Sequence, residues 1–325
     1  MRTRIGSVSA VALVVLVTAG CAAGATVQPS ASPSVSPSTT PSITQTPTAP
    51  ATPQLLVLAD GIQGGKGLWS LDSAGKWSVV ASAPNATALG RTNDGIAIAS
   101  THQLDVRAAS NLSGAGHLTT LKWSAAAPAA PVVSLDGSPA GKLAIATADE
   151  HTLAYGLAAA DGTVTTMSPA PTQSFTPLVA WLDETRLLVL TMDNRQDSRL
   201  ALVKLGSQAV ATSSSVLGAT VFAVSGDRQS VAVATENAVY AGSVATFLSG
   251  SQPEQVATLT GAQVVWAISL NSAGTEVFML SGTAAADGTL TSFHELEYSR
   301  QGSSWTKVMD SPAPFATAVS QVCLT

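Results

Sequence analysis

Short runs of consecutive apolar residues return along this chain at a nearly constant step, each set off by polar turns. Around the clearest run, Leu143-Ala144-Ile145-Ala146, the counterparts are Leu55-Leu56-Val57-Leu58, Ile96-Ala97-Ile98-Ala99, Leu187-Leu188-Val189-Leu190, Val231-Ala232-Val233-Ala234 and Val277-Phe278-Met279-Leu280. Their first residues, the anchors, lie 41, 47, 44, 44 and 46 positions apart. Apolar runs of strand length returning at a step in the forties are the signature of a radially repeated β-sheet.

Each anchor run follows another apolar strand and a turn. Val132 to Leu135 precedes Asp136-Gly137, Leu178 to Trp181 precedes Asp183-Glu184, and Val221 to Val224 precedes Gly226-Asp227. Val264 to Ile268 precedes Asn271-Ser272, and the weakest copy is Ala86 to Leu89 before Asn93-Asp94. Gly, Asp and Asn supply the backbone that tight hairpins need. Two further strands follow each anchor, as in His151 to Ala159, the turn Ala160-Asp161-Gly162, then Thr163 to Met167. The sixth unit shows the same in Leu290 to Tyr298 and Trp305 to Met309, parted by Arg300-Gln301-Gly302. Four alternating strands make one propeller blade. The first unit lacks an innermost strand, and the last is followed by a spare one, Phe315 to Cys323. Residues 314–323 are therefore expected to pair with residues 54–60. The expected fold is all-β, a six-bladed β-propeller over residues 54–325 in which the two chain ends complete one blade. That closure removes two sheet edges that would otherwise template aggregation.

The turn leading into each anchor, as in Ser134-Leu135-Asp136-Gly137 before Leu143-Ala144-Ile145, resembles the TolB-like, WD-type β-propeller repeat. The turns here lack that repeat's proline. The resemblance covers residues 54–323 and implies the propeller fold. By fold analogy it also admits an assembly accessory acting through protein–protein contacts.

Ahead of the repeats, residues 1–20 read as an export signal, with Arg2 and Arg4 before an apolar run from Val8 to Val17. The run is short for a membrane-spanning helix. Its end, Val17-Thr18-Ala19-Gly20-Cys21, resembles the lipobox of bacterial lipoproteins, which implies cleavage before Cys21 and a diacylglyceryl thioether on it. An ordinary secretory signal with a chance cysteine is the alternative. Residues 22–53 hold no charged side chain, seven prolines and thirteen Ser or Thr. Such a segment buries too little apolar surface to order itself, so residues 21–53 are expected to form a disordered stalk. Its 32 residues after Cys21 would span roughly 30 Å as a coil and about 100 Å as polyproline II. Signal, lipobox, stalk and propeller together resemble actinobacterial envelope lipoproteins of the LpqB type, without the extra domain those carry before the propeller. The expected location is the extracytoplasmic face of the cell membrane, lipid-anchored.

Charge and cysteine content narrow the function. Removing the leader leaves 13 basic against 20 acidic residues, a net charge of −7, which argues against nucleic acid and against charge-driven binding of anionic lipid. Two cysteines, Cys21 and Cys323, exclude a disulfide framework. There is no Gly-x-Ser-x-Gly, His-Glu-x-x-His, P-loop or Cys-x-x-Cys. His102, His117, His151 and His294 stand singly and read as polar surface residues. Cys323 reads as a small buried residue of the closing strand. Ser70 to Trp77 comes close to the Asp-box of sialidases and reads as a turn. Trp181 and Trp266, on innermost strands, point either into the channel or between blades, and burial is the expectation.

Acidic residues follow the anchor strands at similar offsets. This suggests a binding rim around one mouth of the central channel, formed by Asp60, His102, Asp149, Glu150, His151, Asp193, Asn194, Arg195, Asp197, Glu236 and Asp287. The plainer alternative is that acids favour solvated turns. Asp136, Asp183 and Asp227 belong to the opposite face and read as turn-formers. Loop Met192 to Ser198 is the most charge-dense segment and the first place to seek a partner-contact edge. The expected function is a non-enzymatic, monomeric binding or scaffolding module, engaging an envelope protein or glycan and needing no catalytic residue, metal or cofactor. The alternative is a propeller hydrolase of lactonase or glycosidase type, using rim carboxylates and a divalent ion, with Asp193 and Glu236 first.

Overall fold

The computed structural model describes residues 55–62, 65–124, 130–148, 153–167, 178–192, 198–206, 210–212, 216–285 and 289–324. They form six antiparallel sheets arranged as the blades of a β-propeller, each built in sequence order from the channel outward. Blade I is the exception to sequence order. Its innermost strand is the C-terminal Ala318–Cys323, followed outward by Leu55–Ile62, Gly65–Leu71 and Trp77–Ser82. Cys323 pairs with Leu55 and Ala318 with Ala59, so the expected closure by the tail is present. The strand itself begins at Ala318 rather than Phe315, because the Phe315 ring is used in packing against Trp69, Trp77 and Phe293.

From inside outward, blade II consists of Ala88–Arg91, Gly95–Ala99, Gln103–Ala108 and His117–Thr120. Blade III consists of Val132–Gly137, Leu143–Ala148, Leu153–Ala158 and Thr163–Thr166. Lys122–Trp123 adds a fifth, parallel strand to its rim. Blade IV consists of Val179–Asp183, Arg186–Met192, Ser198–Lys204 and Val210–Thr212. Blade V consists of Val221–Val224, Ser230–Ala234, Ala238–Ser243 and Glu254–Thr258. Its last two strands are joined through a short helix, Val244–Ser249, whose first turn is capped by the Ser243 hydroxyl accepting from the Thr246 N–H. Blade VI consists of Gln263–Leu270, Glu276–Ala284, Leu290–Gln301 and Ser304–Pro312.

The core is divided into six wedges, one between each pair of neighbouring blades. This explains why the anchor runs are continuous rather than alternating. Leu55, Val57 and Ala59 pack toward blade VI while Leu56 and Leu58 pack toward blade II, and all five are inaccessible to solvent. A strand covered on both faces selects apolar residues at every position. Near the channel the wedges narrow, and small residues let strands approach. A Cβ on Gly90 would lie 2.1 Å from the Leu135 carbonyl oxygen of blade III, which only glycine avoids. The sialidase-like segment is a turn, as expected: the Asp72 carboxylate accepts from the N–H groups of Ala74 and Lys76, each at 2.9 Å, and Gly75 sits at φ +75°.

Alternating strand directions put two kinds of connection on opposite faces. Turns between innermost and second strands share one face, the turn face. Connections from second to third strands, and from one blade to the next, share the other, the loop face.

Candidate functional site

The six innermost strands enclose a central cavity of about 400 Å³. An innermost strand presents an unpaired edge to that space, and its N–H groups need acceptors. Neighbouring blades supply them through polar side chains set in otherwise apolar strands. Ser134 accepts from the Val179 N–H at 3.2 Å, Asp136 from the Trp181 N–H at 2.8 Å, and Ser320 from the Leu89 N–H at 2.9 Å. Gln321 donates to the Phe278 carbonyl at 2.9 Å and the Ser269 hydroxyl at 3.3 Å, tying the closing strand to blade VI.

At its turn-face end the cavity is charged. Arg228, with a side chain 9% exposed, donates from Nη1 to Asp136 Oδ2 at 2.5 Å and from Nη2 to the Gly137 carbonyl at 2.6 Å. It reaches there from a turn in which its own backbone is left-handed, φ +64°. Asp136 therefore differs from its expected role. It is a buried strand residue that holds both Arg228 and the next blade's backbone, and it does not form its turn. Asp183 and Asp227 do form theirs, accepting from the N–H groups of Thr185 and Gln229. Arg91, beside Arg228 in the lining, donates from Nη2 to the carbonyls of Ser225 at 3.0 Å and Val224 at 3.4 Å. Burial pushes its guanidinium below the ordinary value. Asp136 works against this, and the charge of Arg228 reinforces it.

The loop-face end is apolar and open. Trp181 is fully buried as expected, but Trp266 is 44% exposed and lines the cavity beside Val264, itself 38% exposed. The cause is a β-bulge: register slips between Val265 and Ala267, leaving Trp266 as the extra residue. Its indole N–H donates to the Ala318 carbonyl at 2.7 Å, which fixes the ring at the mouth.

Of the expected rim residues, Asp60, His102 and Glu236 are described, and they stand on blades I, II and V. Asp60 lies near the loop-face end of its strand, its carboxylate accepting from the Thr317 hydroxyl of the closing segment. His102 is exposed on blade II. Glu236 lines a separate hollow of about 310 Å³ with Leu217, Asn237 and Gln252, outside the channel. Asp149, Glu150, His151, Asp193, Asn194, Arg195, Asp197 and Asp287 lie outside the described residues, as does Cys21. His294 is a surface residue bonded to Asp310 at 2.7 Å, and Cys323 is buried. Among the described residues, no three His, Cys, Asp or Glu side chains gather closely enough to hold a metal ion.

Sequence reasoning passed over Arg91, Arg228 and the exposure of Trp266. A signal existed for Arg91. The apolar run in blade II ends at Leu89, whereas the register opposite Ile96 carries the strand to Arg91 and hence to the channel lining.

Fold and channel together define a six-bladed β-propeller. No protein-family model matches the chain, and no curated relative does. Among solved structures, TolB from Acinetobacter baumannii superposes with a TM-score of 0.58 at 13% identity, over 83% of this chain and 66% of that one. A chain from Agrobacterium tumefaciens designated TolB gives 0.55 at 16% identity, over 83% and 94%. A gluconolactonase from Xanthomonas campestris gives 0.49 at 12% identity, over 70% and 83%. At these identities the likeness is one of fold.

Proposed function

We propose that this chain is a lipid-anchored envelope protein of the LpqB-like type whose propeller is a non-enzymatic binding module for a protein or glycan. Partner contact is assigned to the loop-face mouth of the channel. The observation carrying this reading is Trp266, an indole 44% exposed and held by the Ala318 carbonyl over an apolar cavity. A fixed, half-exposed aromatic offers a large contact area at little entropic cost, to an apolar side chain or a sugar face alike. The one carboxylate among the described cavity-lining residues, Asp136, is engaged by Arg228 and the Trp181 N–H, which leaves it poorly placed for the hydrolase alternative. The leader, Cys21 and the Ser/Thr/Pro stalk support anchoring, which raises the effective concentration of the propeller near membrane partners.

The test is photo-cross-linking in intact cells from a probe at Val264. Specific adducts that disappear with Trp266→Ala support the reading; adducts indifferent to Trp266 overturn it. Cys21→Ala should move the protein from the membrane fraction to the soluble one. A melting temperature raised by several degrees in millimolar calcium would favour the hydrolase instead.

A further inference from the structure

The residues paired with the six anchors form a ring at the turn-face end of the channel. Five are apolar or glycine: Cys323 opposite Leu55, Gly137 opposite Leu143, Trp181 opposite Leu187, Val224 opposite Val231 and Leu270 opposite Val277. The sixth, opposite Ile96, is Arg91. Only its Nη2 is engaged; Nε and Nη1 donate to no described residue. Arg228 arrives beside it from another blade, already committed to Asp136. Asp136 is bonded to Arg228 and not to Arg91, so Arg91 keeps donors that an anion can engage in place of water. Arg228 is held at positive φ, and backbone strain of this kind collects at functional sites. Both arginines also line a turn-face hollow of about 430 Å³ together with Thr92, Asn93 and Ser272, which bring further donors. Asp94 and Asp227 stand at its solvent side, exposed, where water and salt screen them.

We propose that this hollow binds a small oxyanion, a carboxylate or phosphate group, through the free donors of Arg91, with Arg228 and the neighbouring hydroxyls completing the site. It lies at the opposite end of the channel from Trp266 and does not depend on the partner assigned there.

The test is calorimetric titration of the purified full-length protein with sodium phosphate and, separately, sodium acetate, at constant ionic strength against chloride. Saturable binding of either anion is expected, weakened at least tenfold by Arg91→Met, as for the loss of a charge-assisted hydrogen bond. The anion that binds names the source chemistry. If Arg91→Met does not fold, Arg91→Lys keeps the charge without the planar donors and should weaken binding severalfold while melting unchanged in chloride. Phosphate also stabilises proteins generally by exclusion from their surface, so a rise in melting shared equally by wild type and variant, or no saturable heat with either anion, overturns the proposal.

Discussion

Among the described residues two carboxyl groups are buried, Asp136 and Glu295, and their surroundings are opposite. Asp136, at the turn-face end of the channel, is 8% exposed and accepts from the Trp181 N–H and from Arg228. Glu295, in the third strand of blade VI, is fully inaccessible, and neither of its oxygens has a hydrogen-bond partner. Burial pushes Glu295 well above its ordinary value, and the charge of Glu297 adds to the rise. One carboxylate is therefore a structural counter-charge, and the other a carboxyl whose burial favours its neutral form. The difference shows where this fold uses charge. At the channel, strand edges and arginines need an acceptor; within a blade, hydrogen bonds are satisfied by the ladder and a carboxyl is left with nothing to do.

Breaking the channel pair should have the largest effect. Asp136→Ala removes the acceptor for Trp181 and leaves Arg91 and Arg228 without a buried counter-charge, a loss of about 3–5 kcal/mol by analogy with other buried pairs. Urea unfolding followed by tryptophan fluorescence measures it. The double variant Asp136→Ala/Arg228→Met should recover part of the loss, because the stranded charge goes too. A loss under about 1 kcal/mol in the single variant, within the range of exposed pairs, would mean that the pair is ornamental.

Removing the other carboxyl should act in the opposite direction. Glu295→Met keeps the volume and discards an unsatisfied polar group, a gain of roughly 1–3 kcal/mol at neutral pH. The sign of the pH effect follows from linkage. A glutamate whose folded value is raised binds more protons in the folded state, so its penalty is absent below the unfolded value of 4.5 and grows as pH rises from there toward the folded value. Wild-type stability should therefore fall from pH 5 to pH 8. The variant should flatten that slope in part, since Glu297, raised by its own burial and by Glu276, contributes in the same sense. An unchanged slope in Glu295→Met would show that other groups carry it.

This contrast also marks what the chain's pattern could reveal. Blade number and closure were legible because strands buried on both faces write continuous apolar runs, and because the missing strand at Leu55 matched a spare one ending at Cys323. Asp136 was misread because an Asp-Gly pair signals a turn whether its side chain caps that turn or crosses to the next blade. Trp266 was misplaced because a bulge shifts pairing by one residue without any change in composition. Glu295 lies between His294 and Leu296, and its same-face neighbours are Phe293 and Glu297, one apolar and one charged, so the alternation does not mark its face as buried. Acidic loop residues, conversely, were conspicuous in sequence, yet the described ones, Asp60 and Glu236, lie outside the channel lining.

The smallest effect belongs to a pair that looks identical on distance alone. Arg186 donates from Nε to Asp183 at 2.5 Å, the separation found between Arg228 and Asp136, but these side chains are 46% and 39% exposed. Water already solvates both partners, so Arg186→Ala should cost less than about 1 kcal/mol. Partial burial pushes Asp183 up, but the Thr185 N–H, Arg186 and the Thr185 hydroxyl outweigh it and leave the carboxyl below its ordinary 3.8. Its contribution is present above that value and is lost only as pH falls through the lowered folded one. The two carboxyls thus act on opposite flanks of a stability–pH profile. Arg186→Ala should trim the acid flank slightly and leave the fall between pH 5 and 8 in place, whereas Glu295→Met should do the reverse. If Arg186→Ala instead lowered stability as much as Asp136→Ala, burial would not be what separates these pairs, and the assignment of the channel carboxylate as a structural counter-charge would lose its basis.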